Sequence, residues 1–112
     1  MINSLLLNTY STTEYRIGTY LGKPLYRKVL IGTTDTNQHT WFYNQNIGIL
    51  VNSGGRVKID SNYSGQINTS FGGTADNDLR IVQHSTNFVL QTGSNYRGKD
   101  YQLWIEYTKT TD

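Results

Sequence analysis

Apolar residues recur at every second position in several short stretches, and polar turn signals separate them. Over residues 14–21, Tyr15, Ile17, Thr19 and Leu21 share one face while Glu14, Arg16, Gly18 and Tyr20 share the other, the period of a half-buried strand. Gly22-Lys23-Pro24 reads as a turn, and residues 25–31 as the returning strand of a hairpin. A polar loop over 33–38 precedes an aromatic strand at 40–43 and a turn at 44–46. Residues 47–52 and 56–60 flank Ser53-Gly54-Gly55, a short hairpin signal that turns Val57 and Ile59 inward and Arg56, Lys58 and Asp60 to water. Further strands are expected at 66–71, 79–84, 88–92 and 100–108, with a Gly-rich loop at 72–78, a turn at Ser85-Thr86-Asn87 and a loop at 93–99.

The pattern predicts an all-β fold, an antiparallel, jelly-roll-like β-sandwich of about eight strands. Residues 10–112 form one domain, and 1–9, without strong periodicity, read as a lead-in or a linker to an upstream region. In the last strand Tyr101, Leu103, Ile105 and Tyr107 make an apolar face. Trp104 stands on the other, beside Gln102 and Glu106, and calls for cover from a loop, a second chain or a ligand.

Composition agrees. Ala occurs only at Ala75 and Glu only at Glu14 and Glu106, so long helices lack their best formers. The net charge of +2 is dispersed, and Lys23, Arg27 and Lys28 are the nearest approach to a basic cluster, so nucleic-acid binding is not expected. No stretch approaches the roughly 20 apolar residues of a membrane span. The absence of Cys removes disulfides, thiolate nucleophiles and Cys-based metal sites.

Catalytic signals are equally sparse. His39 and His84 are the only candidate bases for a hydrolytic triad, and no Gly-x-Ser-x-Gly elbow accompanies them. Asp76-Asn77-Asp78 offers hard oxygen donors for calcium, without the spacing of an EF-hand loop. Gly54-Gly55 and Gly72-Gly73 open no helix and so cradle no phosphate. The expectation is a non-enzymatic protein without cofactor or metal.

Aromatic, polar loops remain. Trp41, Phe42 and Tyr43 lie between His39 and Asn44-Gln45-Asn46; Asn95, Tyr96 and Arg97 lie in a second loop, and Asn62-Tyr63 in a third. Sugars bind by stacking on Trp or Tyr while amides, Arg and Asp bond their hydroxyls. Strand alternation buries Phe42 if Trp41 and Tyr43 are exposed. The candidate ligand-binding residues are therefore Trp41, Tyr43, Asn95, Tyr96 and Arg97.

The opening Tyr10-Ser11-Thr12-Thr13-Glu14-Tyr15 with Gly22-Lys23-Pro24-Leu25-Tyr26-Arg27-Lys28, and the ending Tyr107-Thr108-Lys109-Thr110-Thr111-Asp112, resemble a C-terminal module of bacteriophage tail and tail-fibre proteins. Its two conserved-looking ends bracket a variable β-rich middle. Where that module carries Asp before Gly-Lys-Pro, this chain has Leu21. The resemblance implies a receptor-binding tip domain, a homotrimer assembled in the host cytoplasm and carried on the virion, that attaches to host cell-surface saccharide. A fibre-capping or trimerisation domain without its own ligand is the alternative. The resemblance assigns no binding residue in the middle.

Overall fold

The computed structural model describes residues 13–58, 65–70 and 78–112. Nine strands follow in chain order: β1 (Tyr15–Tyr20), β2 (Lys23–Thr33), β3 (His39–Phe42), β4 (Ile47–Val57), β5 (Gly65–Gln66), β6 (Thr69–Ser70), β7 (Asp78–His84), β8 (Asn87–Thr92) and β9 (Asp100–Lys109). They pair into a five-stranded sheet, β1-β2-β9-β4-β5, and a four-stranded sheet, β3-β8-β7-β6. Every pairing is antiparallel. β2 pairs with β9 and β3 with β8, so the chain passes from one sheet to the other between β2 and β3 and returns between β8 and β9. The fold is the expected all-β sandwich, and a three-residue 3-10 turn at Ser94–Tyr96 is the one helical element among the described residues.

β9 carries the core. Tyr101, Leu103, Ile105 and Tyr107 alternate inward and are all buried. They meet Phe42, Phe88, Leu90, Leu79 and Ile47 from across the sandwich and from β4. Phe42 stacks on Phe88 at 4.3 Å between ring centroids and meets Tyr101 edge-on at 5.7 Å. Each such side chain contributes about 1.5–3 kcal/mol on leaving water, so the expected alternation of β9 is the principal stabilising pattern.

Several stretches depart from the sequence reading. Ser53-Gly54-Gly55 makes no hairpin but runs inside the single long strand β4. The glycines serve close approach: a Cβ on Gly54 would lie 2.7 Å from the Trp104 ring, and one on Gly55 would lie 2.2 Å from the Gln102 carbonyl oxygen. Val57 is buried and Arg56 exposed as expected, whereas Ile59 and Asp60 lie outside the described residues. Bulges between Ile47 and Leu50 and between Leu50 and Asn52 reset which β4 residues face inward. In β1 a bulge between Arg16 and Gly18 breaks the expected alternation, so Ile17 is 37% exposed instead of sharing a covered face. The lead-in 1–9 lies outside the described residues. The strand expected at 66–71 resolves into β5 and β6 around Ile67-Asn68, and Phe71 lies outside the described residues.

The β1–β2 hairpin turns on Leu21-Gly22, with Pro24 already inside β2. Both turn residues have positive φ, 50° and 80°, the combination a two-residue type I′ turn requires. Leu is strained there and its side chain is 79% exposed, so it gains little burial in return. Leu21→Asn is expected to raise stability by about 1 kcal/mol, read as a higher urea midpoint at unchanged m-value.

Three residues into β2, Tyr26 pairs with Tyr107, their ring centroids 6.2 Å apart. The buried Tyr107 hydroxyl donates to Glu14, which also pairs with Lys109, and Lys28 and Lys109 lie over the Tyr107 and Tyr26 rings. Burial opposes ionisation of Glu14, but the bonds from Lys109 and Tyr107 and the charges of Lys109 and Lys28 together outweigh it and hold the carboxyl below its usual range. A carboxyl depressed in the folded state stabilises above its unfolded pKa and loses that contribution as pH falls through the folded one. The melting temperature should therefore fall more steeply between about pH 5 and pH 3 in the parent chain than in Glu14→Gln. Parallel slopes would mean that this clasp does not hold β1.

Candidate functional site

Thr34 organises the site. It is buried, between the end of β2 and the loop 35–38. Its Oγ1 donates to the Tyr96 carbonyl at 2.6 Å and accepts from the Lys99 amide at 2.9 Å, while its own amide donates to the Lys99 carbonyl at 2.8 Å. Gly98 N donates to the Asp35 carbonyl at 3.2 Å. The loops 33–38 and 93–99, both singled out from sequence, are thus laced together by one buried hydroxyl and the backbone around it.

On this support stands β3. Among the described residues it is an edge strand, paired with β8 alone. Phe42 turns inward, as alternation requires, and Trp41 and Tyr43 turn outward with 39% and 62% of their surfaces exposed. Their rings are nearly parallel, 12° between planes and 5.9 Å between centroids. His84 meets Trp41 edge-on at 5.1 Å and His39 lies beside it at 6.1 Å, so Trp41 is held from two sides in one orientation. Together Trp41 and Tyr43 form one wall of an open cleft of about 520 Å³, whose remaining lining is Thr33, Thr34, Asp35, Thr36 and Thr40.

Most of the cleft's polar atoms are already committed. Thr33 Oγ1 donates to Asp100 Oδ1 at 3.0 Å, Thr40 Oγ1 accepts from the Asp35 amide at 2.8 Å, and Asp35 Oδ1 accepts from the Thr36 amide at 2.8 Å. Among the described residues, Asp35 Oδ2, Thr36 Oγ1 and the Tyr43 hydroxyl have no partner. The cleft lining therefore combines two aromatic rings, one carboxylate acceptor and the hydroxyl protons of Thr36, Thr40 and Tyr43. It can grip a ring with an apolar face and hydroxyls at its edge.

Of the residues singled out from sequence, Trp41 and Tyr43 come together here. Tyr96 does not: the 3-10 turn carries its ring into the core at 6% exposure, against Gly65, where a Cβ would lie 2.5 Å from the ring. It offers no free face to a sugar, and its role is structural. Arg97 is half-buried, its Nε donating to the Thr92 carbonyl at 3.3 Å, and Asn95 is exposed on the same turn; neither lines the cleft. Asp35, Thr36 and the supporting Thr34 escaped sequence reading. The available signal was a carboxylate six positions before Trp41 in one polar loop.

Among the described residues no group of three His, Asp or Glu side chains could hold a metal ion, and the pair Asp76-Asn77 lies outside them. No described helix is long and apolar enough to cross a membrane. No protein-family model, curated protein or solved structure matches the chain.

Proposed function

We propose that this domain is the receptor-binding tip of a phage tail fibre, a homotrimer on the virion that attaches to host cell-surface saccharide. The observation that carries the binding half of the reading is the cleft in which the near-parallel Trp41 and Tyr43 rings stand against Asp35 and Thr36. The resemblance of residues 10–29 and 104–112 to tail-fibre modules supports the viral half. The domain acts by binding and not by chemistry: glycosidic hydrolysis uses two carboxyl groups flanking the bond, and the cleft lining holds one, Asp35. A saccharide array probed with the purified domain tests the reading. Retention of polysaccharide from a susceptible host supports it, and a silent array carrying that polysaccharide contradicts it.

A structural role as a fibre cap is favoured by a separate surface. On the outer face of the five-stranded sheet, Val29, Trp104 and Gly54 form one cross-strand row and Ile31, Gln102 and Arg56 the next. Ile31 is 62% exposed, and Val29, Ile31, Arg56, Gln102 and Trp104 line a groove of about 400 Å³; the Trp104 indole lies against Gly54. Burial between chains would remove Ile31 and Trp104 from water. Sedimentation distinguishes the roles: a trimer dissociated by Ile31→Arg places assembly on this face, and a monomer at high concentration removes it from the isolated domain.

A further inference from the structure

The free polar complement of the Trp41 cleft carries a statement about which saccharide it takes, resting on the binding role just proposed. Of the seven lining residues, Asp35 alone carries a formal charge at neutral pH, and it is negative. Its Oδ2 accepts hydrogen bonds and donates none. Of the threonine hydroxyls, Thr33 donates to Asp100 and Thr34 to the Tyr96 carbonyl, whereas Thr40 Oγ1 only accepts from the Asp35 amide and, like Thr36 and Tyr43, keeps its proton for a ligand hydroxyl. Among the described residues no Lys or Arg lines the cleft; of the two cations in the loop 93–99, Arg97 has its Nε on the Thr92 carbonyl and Lys99 meets Thr34 through its backbone.

A ligand seated on Trp41 and Tyr43 must therefore bring donors to Asp35. A neutral pyranose does so with vicinal hydroxyls, and an amino sugar with an ammonium. A uronate or a sugar phosphate would bring a second acceptor and a like charge to the open Oδ2 of Asp35, with no cation among the described lining residues to offset it. We infer that Asp35 is the specificity-determining residue of this cleft, selecting neutral or amino pyranosides and rejecting anionic ones. Asp35 would act on the edge of the sugar while the aromatic wall acts on its face, so the two contributions separate by mutation.

The test is a titration of the intact domain with methyl glucoside, glucosamine, glucuronate and glucose 6-phosphate, followed by the indole amide-region NMR signals and backbone shifts of Trp41. Wild-type protein should bind the first two at least tenfold more tightly than the last two. Asp35→Asn retains the Oδ1 acceptor for the Thr36 amide and so should keep the fold, visible as unchanged shifts in β9. It should weaken the neutral and amino sugars by roughly ten- to hundredfold, the contribution of a hydrogen bond to a charged group, and narrow the gap to glucuronate. Equal or tighter binding of the anionic sugars overturns the inference, as does neutral-sugar binding unchanged in Asp35→Asn. If none of the four sugars, nor the polysaccharide of a susceptible host, perturbs Trp41, the binding role itself fails and takes the inference with it. If only Trp41→Ala abolishes binding, the cleft stands and the assignment of selectivity to Asp35 is wrong.

Discussion

Gly55→Ala is expected to abolish folding. Gly55 sits in β4 at φ 130°, a conformation that L side chains rarely adopt. A Cβ there would lie 2.2 Å from the Gln102 carbonyl oxygen and 2.6 Å from Leu103 Cα. Those are backbone atoms of β9, the central strand of its sheet and the source of four buried core side chains. Neither can retreat by changing rotamer, so β4 must move away from β9 or β9 must leave the core. Either loses ladder hydrogen bonds and opens the packing around Leu103 and Val57. We expect a cost above about 4 kcal/mol, in a domain whose whole stability is of the order of 5–15 kcal/mol. Circular dichroism should show a chain without cooperative unfolding. Gly18→Ala is the matched control: nothing lies within 4 Å of a Cβ there, and its φ is ordinary. It should fold with a stability within about 1 kcal/mol of the parent. A Gly55→Ala variant that unfolds cooperatively near the parent midpoint would refute this account of β4.

Trp41→Ala is expected to remove attachment while sparing the fold. Trp41 is 39% exposed, on an edge strand, and it belongs to the outward face of β3. Its loss leaves Phe42, Phe88 and Leu90 packed as before, so the melting temperature should shift by only a few degrees. Its contribution to binding is larger. An aromatic face adds on the order of 1 kcal/mol beyond the area it buries, and that area adds more, so about a tenfold loss per site is expected. In the proposed trimer three sites engage one cell surface, and a tenfold loss at each compounds toward a thousandfold loss of avidity where the geometry lets all three engage. Adsorption of fibres carrying Trp41→Ala should therefore collapse even though the isolated site weakens modestly. Normal adsorption would exclude the cleft, and loss of the cooperative melt would show that Trp41 is structural.

How far the sequence disclosed this arrangement depended on where the deciding contacts lay. The inward face of β9 was legible because alternation is local and every member is apolar. Trp41 and Tyr43 were legible for the same reason, as outward neighbours of Phe42. Ser53-Gly54-Gly55 was misread because glycines that admit a neighbouring strand resemble glycines that make a turn. The difference lies in Trp104 and Gln102, about fifty residues away in the chain. Tyr96 was misread because a polar loop suggests exposure, whereas a single 3-10 turn swings its ring onto Gly65. Thr34 carries no local signal, since what distinguishes it from Thr33 and Thr36 is the backbone of residues 96 and 99, about sixty residues on in the chain. Bulges in β1 and β4 likewise depend on pairing that no single strand encodes.

The central claim is that saccharide is held between the aromatic wall of β3 and the loop 33–36. Chemical-shift mapping of the isotope-labelled domain during titration with cell-surface polysaccharide from a susceptible host tests it most directly. The account predicts saturable shifts at Thr33, Asp35, Thr36, Trp41 and Tyr43, with weaker ones at Gly98 through its bond to Asp35. Shifts confined to Val29, Ile31, Gly54 and Trp104, or no saturable shift at any residue, would contradict it.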